Sequence, residues 1–98
     1  MDSYVETLVG LGKRAKALRI QQELQQRELA GRAGVSAGTL VRFERTGKAS
    51  IENVLRIATA LGADGAFEQL FAPPKYRTLD EALAIPDAAA RQRVRRRR

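Results

Sequence analysis

The chain has 98 residues, enough for one small domain with a modest core, and it contains neither cysteine nor histidine. A disulfide framework and a thiol nucleophile are therefore excluded, and the commonest general base and zinc ligand are missing. The formal net charge of +7 lies mostly at the C-terminus, because residues 1–90 carry 12 basic and 11 acidic side chains whereas residues 91–98 add six arginines.

Three helices are predicted in the first half of the chain. The first is an amphipathic helix over Val5–Leu24, and its apolar residues recur at steps of three and four: Leu8, Leu11, Ala15 and Leu18. A second helix covers Gln26–Ala33 and ends at Gly34, a residue suited to the left-handed conformation. Ser36 is the predicted N-cap of a third helix, whose inward residues are Leu40 and Phe43.

Two further helices follow a short polar turn. Ser50 is the predicted N-cap of a fourth helix, Ile51–Leu61, which stops at Gly62. Its inward stripe is formed by Val54, Leu55, Ala58 and Leu61. Asp64 is the predicted cap of a fifth helix that continues through Phe71. Five short helices joined by short turns predict a compact all-α fold rather than an up-and-down bundle.

The C-terminal quarter of the chain predicts an extension. The pair Pro73–Pro74 closes the fifth helix, because proline rings cannot continue it. Thr78–Glu81 has the spacing of a capping box and predicts a short sixth helix that ends at Pro86. No apolar run reaches the length of a membrane span and no signal-like segment opens the chain, so we expect a cytoplasmic protein without a membrane partner.

The segment Gln26–Arg45 carries the strongest functional signal. Two short helices that meet steeply need a small residue where they are closest, and Ala30 stands at that point. Gly34 occupies the turn, where a positive φ costs little without a Cβ. A small shared core is supplied by Leu29, Ala33, Val35, Leu40 and Phe43. Together, at this spacing, these residues predict a helix-turn-helix.

A family resemblance rests on three stretches of sequence: LQQRELA at Leu24–Ala30, AGVS at Ala33–Ser36 and RFER at Arg42–Arg45. Together they closely resemble the Xre/Cro-type helix-turn-helix family of phage and bacterial repressors. The resemblance covers about Leu11–Phe71. It implies an all-α, five-helix lambda-repressor-like domain over residues 1–72, followed by a C-terminal extension over residues 73–90 and a basic tail over residues 91–98.

The same resemblance implies that the third helix lies in the major groove of DNA. The residues matching base-reading positions are Ser36, Ala37, Gly38, Thr39, Val41 and Arg42. Arg42 can donate two hydrogen bonds to guanine, and Ala37 and Val41 offer methyl surface to thymine. Gln26, Arg45 and Lys48 match positions that hold phosphates and set register.

Three pairings or contacts can be interpreted in two ways. Arg19 and Glu44 match an ion pair that tethers the first helix to the third, the alternative being two solvated charges.

An apolar cluster near the C-terminus consists of Phe67, Leu70, Phe71, Tyr76 and Leu79. It either completes the core of the monomer or forms a homodimer interface, and we favour the interface. The arginine tail can neutralise phosphates or serve only solubility: Arg95, Arg96, Arg97 and Arg98. We expect these four residues to be disordered without DNA.

Two positions depart from the family pattern. Gln25 stands where Thr, Ser or Asn usually caps the second helix, so about 1 kcal/mol of capping is expected to be missing. Glu23 stands where glycine commonly ends the first helix. Neither departure touches the positions that face the groove.

The sequence therefore predicts a transcriptional regulator, a repressor that binds a palindromic operator in double-stranded DNA as a dimer. One alternative is an antitoxin that resembles the HipB-like family and also binds a HipA-like toxin kinase. Another is a non-specific nucleic-acid-binding protein driven by its arginine tail. We expect no enzymatic activity, no cofactor and no metal, because no nucleophile with an activating base and no phosphate-binding glycine loop is present.

Overall fold

A computed structural model of the chain describes residues 3–74. In this part of the chain four α-helices and one 3₁₀ helix follow one another: α1 (Tyr4–Gln21), α2 (Gln26–Ala33), α3 (Ala37–Thr46), α4 (Ile51–Leu61) and the 3₁₀ helix (Asp64–Gln69). Residues 3–74 contain no strand. The predicted all-α fold of five helical elements is confirmed. The predicted sixth helix and the arginine tail lie outside the described residues, and the boundary proposed at residues 72–73 stays a prediction.

Serine hydroxyls start three of the four α-helices. Ser3 and Glu6 form a capping box, in which each side chain accepts a hydrogen bond from the backbone N–H of the other. Ser36 Oγ accepts from the backbone N–H of Thr39, and Ser50 Oγ accepts from that of Asn53, both at 3.0 Å. The two predicted serine caps are confirmed, and each contributes about 1 kcal/mol to its helix.

Left-handed residues end the helices. Gly34 and Gly62 follow α2 and α4 with φ values of 73° and 75°, as their positions predicted. Gly47 follows α3 with φ 78°, and a Cβ there would overlap the carbonyl oxygen of Leu8. Glu23 takes φ 60° in the turn after α1. The predicted end of α1 at Leu24 is therefore wrong, since the helix stops at Gln21.

The core lies where α2, α3 and α4 meet beneath α1. Its fully buried side chains are Leu29, Leu40, Phe43 and Ile57. The predicted inward stripe of α4 is wrong at Leu55, which is 41% exposed, and it omitted Ile57. The reason is that α4 packs against α2 as well as α1, which turns Ile57 into the core and Leu55 outward.

The helices α1 and α3 approach each other closely at Gly12. This glycine is buried, and a Cβ there would overlap the carbonyl oxygen of Phe43. The absence of a side chain lets the two backbones come into contact, and about two helical turns further along α1 Arg19 lies beside Glu44. The close approach therefore positions the charged pair described below.

The fifth element differs from the predicted α-helix. It is a six-residue 3₁₀ helix that follows Ala63, and Asp64 does not act as a capping residue. Gly65 disfavours a longer helix, and Leu70 is already extended. Phe71 has φ 67° and is 95% exposed. None of the helices in residues 3–74 combines the length and apolarity that a membrane span requires.

Candidate nucleic-acid interface

One face of α3 is exposed and carries the side chains that the sequence assigned to base reading. Ala37, Gly38, Val41 and Arg42 are exposed, whereas Leu40 and Phe43 on the opposite face are buried. Burial of that opposite face fixes the rotation of α3 about its axis. The structure thus presents a small apolar surface with the guanidinium of Arg42 beside it, a combination that can contact thymine methyl groups and a guanine edge.

The first turn of α3 contains a pair of linked hydroxyls. Ser36 Oγ accepts from the backbone N–H of Thr39 and donates to Thr39 Oγ1 at 2.8 Å. The hydroxyl of Ser36 is therefore committed to capping. Thr39 is half-buried and keeps its own hydroxyl proton, which can be donated to a phosphate or a base edge.

A buried ion pair joins α1 to α3. Arg19 Nε lies 2.6 Å from Glu44 Oε2, and Arg19 Nη2 donates to Glu44 Oε1 at 3.1 Å. The third nitrogen, Arg19 Nη1, donates to the carbonyl oxygen of Leu24 at 2.8 Å. Arg19 is 8% exposed and Glu44 is 4% exposed. Of the two interpretations of these charges, the structure shows the tethering pair and not two solvated side chains.

Glu44 also holds a residue of α2. Gln26 Nε2 donates to Glu44 Oε1 at 2.9 Å, and Gln26 is half-buried. The amide has a second N–H, which this contact leaves free to meet a phosphate. No buried side-chain nitrogen or oxygen among the described residues lacks a hydrogen-bond partner. The network therefore fixes the start of α2 relative to α3 without leaving a polar group unpaired.

The end of α3 and the turn after it carry two exposed cations, Arg45 and Lys48. Thr46 Oγ1 donates to the carbonyl oxygen of Arg42 at 2.8 Å and accepts from the backbone N–H of Lys48 at 3.1 Å. These bonds and the left-handed Gly47 define the path of the turn. The proposed phosphate-binding residues thus lie at the beginning of α2, at the end of α3 and in the turn that follows α3.

The apolar C-terminal cluster is only partly described. Phe67 is half-buried, Leu70 is half-exposed and Phe71 is almost fully exposed, while Tyr76 and Leu79 lie outside the described residues. Phe67 and Leu70 line an open groove of about 500 Å³ between α1, α4 and the 3₁₀ helix, which we call the apolar groove. Phe71 does not line this groove, and the assignment of the cluster to a homodimer interface stays a prediction.

Sequence reasoning missed Gly12, Gly47 and Gln22. The signal for Gly12 was a glycine inside an amphipathic helix, which often marks a close backbone approach. Gln22 Nε2 donates to the carbonyl oxygen of Leu61 at 2.8 Å and so ties the end of α1 to the end of α4. No sequence pattern pointed to that bond, because its partners are 39 residues apart.

Comparison with known proteins gave one informative result. A family model described as helix-turn-helix matches residues 16–66, just over half of the chain. The match begins within α1 and ends within the 3₁₀ helix, so it includes both α2 and α3. A search of curated proteins found no match.

Proposed function

The chain belongs to the Xre/Cro-type helix-turn-helix family of DNA-binding transcription regulators, and from this premise we propose that it is a repressor that recognises an inverted-repeat operator as a homodimer. The observation that carries the proposal is the exposed face of α3, held in place by the Arg19–Glu44 pair. An operator near its own gene would make the protein autoregulatory. We place its action in the cytoplasm, where such operators would be bound.

Base recognition is assigned to the exposed face of α3. Arg42 donates to O6 and N7 of a guanine, and Ala37 and Val41 contact thymine methyl groups. Gly38 lets the helix backbone approach the bases, since it carries no side chain. Thr39 donates its free hydroxyl proton, while Ser36 contributes through the cap that orders this turn.

Phosphate contacts are assigned to the residues flanking that face. The backbone N–H groups at the start of α2 and the free amide hydrogen of Gln26 meet one phosphate. Arg45 and Lys48 meet the backbone on the other side of the groove. Such contacts set the register of α3 and add affinity for any sequence.

Dimerisation is assigned to the exposed apolar surface at the C-terminal end of the domain. Phe71 is 95% exposed, and a large aromatic side chain in water is a poor arrangement for a monomer. A symmetric dimer would place two α3 helices in successive major grooves, with half-site centres about 34–36 Å apart. Sedimentation of the native chain and of Phe71→Ser should show a dimer for the first and a shift towards monomer for the second.

Selection of binding sites from random DNA by the purified chain tests the proposed function directly. An enriched inverted repeat with half-sites about one helical turn apart is the expected result. An enriched asymmetric site bound by a monomer would contradict the dimer. Failure to enrich any sequence would favour the alternative of a general nucleic-acid binder driven by its arginine tail.

The antitoxin alternative requires the protein to have a second binding partner. An antitoxin of this family would bind a HipA-like kinase as well as its operator. Co-purification that recovers no kinase-like protein with the chain would count against this alternative, while leaving the repressor proposal intact.

A further inference from the structure

The apolar groove is an uncovered apolar surface among the described residues. Its walls come from α1, α4 and the 3₁₀ helix, and include Leu8, Leu11, Leu18, Val54, Ala58 and Phe67. All six side chains are only partly buried. Arg14 is the one charged residue among the described residues that line it. A concave apolar surface with a single charge at its edge is suited to hold an amphipathic helix.

We propose that the occupant is a segment of the same chain, residues 76–85, which lies outside the described residues. The segment is tethered close to this surface, because Leu70 lines the groove and Tyr76 follows only six positions later. The groove follows α1 from Leu8 to Leu18, a distance of about 15 Å at 1.5 Å per residue. As a helix, residues 79–85 are about 10 Å long, and the extended residues 76–78 add up to about 10 Å, so the segment can cover this distance.

The sequence of the segment has the pattern that such a groove requires. Thr78 and Glu81 have the spacing of a capping box, which starts a helix at Leu79. In that helix Leu79, Ala82 and Leu83 stand at i, i+3 and i+4 and therefore share one face. That face presents two leucines and a small residue to the groove. Pro86 ends the helix after two turns.

The charge of the segment complements the groove. Asp80 is acidic and stands beside the apolar face that would meet the groove, whereas Glu81 stands on the far side of the helix. Arg14 lines the groove and is the natural partner of the Asp80 carboxylate. The arginines that follow begin at Arg91, beyond the segment, and so remain outside the groove.

A second copy of the chain is a weaker candidate for the groove. A segment tethered by a short linker has an effective concentration in the millimolar range, far above the concentration of a second molecule in solution. The assignment moves Leu79 from the dimer interface suggested by the sequence to the groove of its own chain. Phe71, which does not line the groove, stays available for contact between copies.

Paramagnetic broadening in the full-length chain tests this proposal. The chain has no cysteine, so Ala84→Cys accepts a single nitroxide label outside the apolar face of the segment. We expect the label to broaden the methyl signals of Leu11 and Val54 in the groove and to spare those of Val41 on the exposed face of α3. Absence of broadening at Leu11 and Val54 would overturn the proposal.

Two further arms separate the occupants. The first mixes chain that carries the nitroxide but no isotopic label with native chain that carries isotopically labelled methyl groups. We expect no broadening in this mixture, and broadening would assign the groove to a second copy. In the labelled chain, Leu79→Asp with Leu83→Asp should abolish the effect. The matched control, Ala88→Asp with Ala89→Asp, adds the same charge beyond Pro86 and should retain it. Equal behaviour of the two double variants would show that the leucines do not hold the segment.

Discussion

The side-chain amide of Gln26 donates to the same oxygen of Glu44 that Arg19 Nη2 contacts, at 2.9 Å and 3.1 Å respectively. A residue at the proposed DNA surface is therefore held by a buried carboxylate, which is in turn held by a residue of α1. Loss of either charge should disturb both the packing of α1 on α3 and the orientation of Gln26. The pair thus couples the stability of the domain to its proposed phosphate contact.

The first prediction compares two Arg–Glu pairs in the same chain. Arg19→Ala leaves Glu44 buried without its partner and should lower the free energy of unfolding by about 3–5 kcal/mol. Arg56→Ala removes an exposed i,i+4 pair with Glu52, joined at 3.0 Å, and should lower it by about 1 kcal/mol or less. Urea unfolding followed by circular dichroism measures both. Similar losses for the two variants would contradict the structural role of the buried pair.

The second prediction separates base reading from phosphate binding. Arg42→Ala should weaken binding to the selected operator by about 1–3 kcal/mol and binding to random DNA much less, because its hydrogen bonds are specific to a base edge. Lys48→Ala should weaken binding to both DNAs equally and reduce the salt slope by about one. Titrations on both DNAs at several salt concentrations give these values. A loss on random DNA as large as that on the operator would remove Arg42 from base reading.

The third prediction uses two glycines with the same backbone conformation. Gly47 and Gly62 have φ values of 78° and 75°, but a Cβ at Gly47 would overlap Leu8 whereas one at Gly62 meets nothing within 4 Å. Gly62→Ala should cost about 1–2 kcal/mol for the left-handed conformation alone. Gly47→Ala should cost roughly 1–3 kcal/mol more because α1 must shift. Thermal unfolding of both variants measures these losses of stability. Equal losses for the two variants would mean that the contact with Leu8 is unimportant.

The fourth prediction concerns a turn that departs from the family pattern. Glu23 is exposed and has φ 60°, a conformation that glycine adopts without strain. Glu23→Gly should therefore raise the free energy of unfolding by up to about 1 kcal/mol, after the greater freedom of glycine in the unfolded chain is subtracted. The control, Gln21→Gly in the last turn of α1, should lower it by about 0.5–1 kcal/mol. Destabilisation by Glu23→Gly would show that the side chain has an interaction of its own.

The fifth prediction concerns the arginine tail, which lies outside the described residues. Deletion of Arg95–Arg98 should weaken binding to any DNA and lower the slope of log affinity against log salt, by about one for each phosphate that the tail neutralises. Affinity measured over a series of salt concentrations gives the slope. An unchanged slope would rule out phosphate contact, and a loss confined to the operator would mean that the tail recognises sequence or shape.

Much of the fold follows from local signals. Ser36 and Ser50 cap helices because a hydroxyl can reach the backbone N–H three residues on, and Gly34 and Gly62 end helices because no Cβ opposes a positive φ. These effects act within one turn of chain and are therefore visible in a short stretch of sequence. The family resemblance likewise depends on residues 24–45, which form one compact motif.

Other features depend on contacts between residues far apart in the chain. The burial of Ile57 rather than Leu55 is decided by how α4 packs against α2, and both residues are apolar, so the pattern alone cannot choose between them. The sequence by itself determined the helical elements, most of their caps and the exposed face expected to meet DNA. Only the tertiary structure decided the contact of Gly47 with α1, the contact of Gln26 with Glu44 and the open groove, because each requires two helices to be placed in space first.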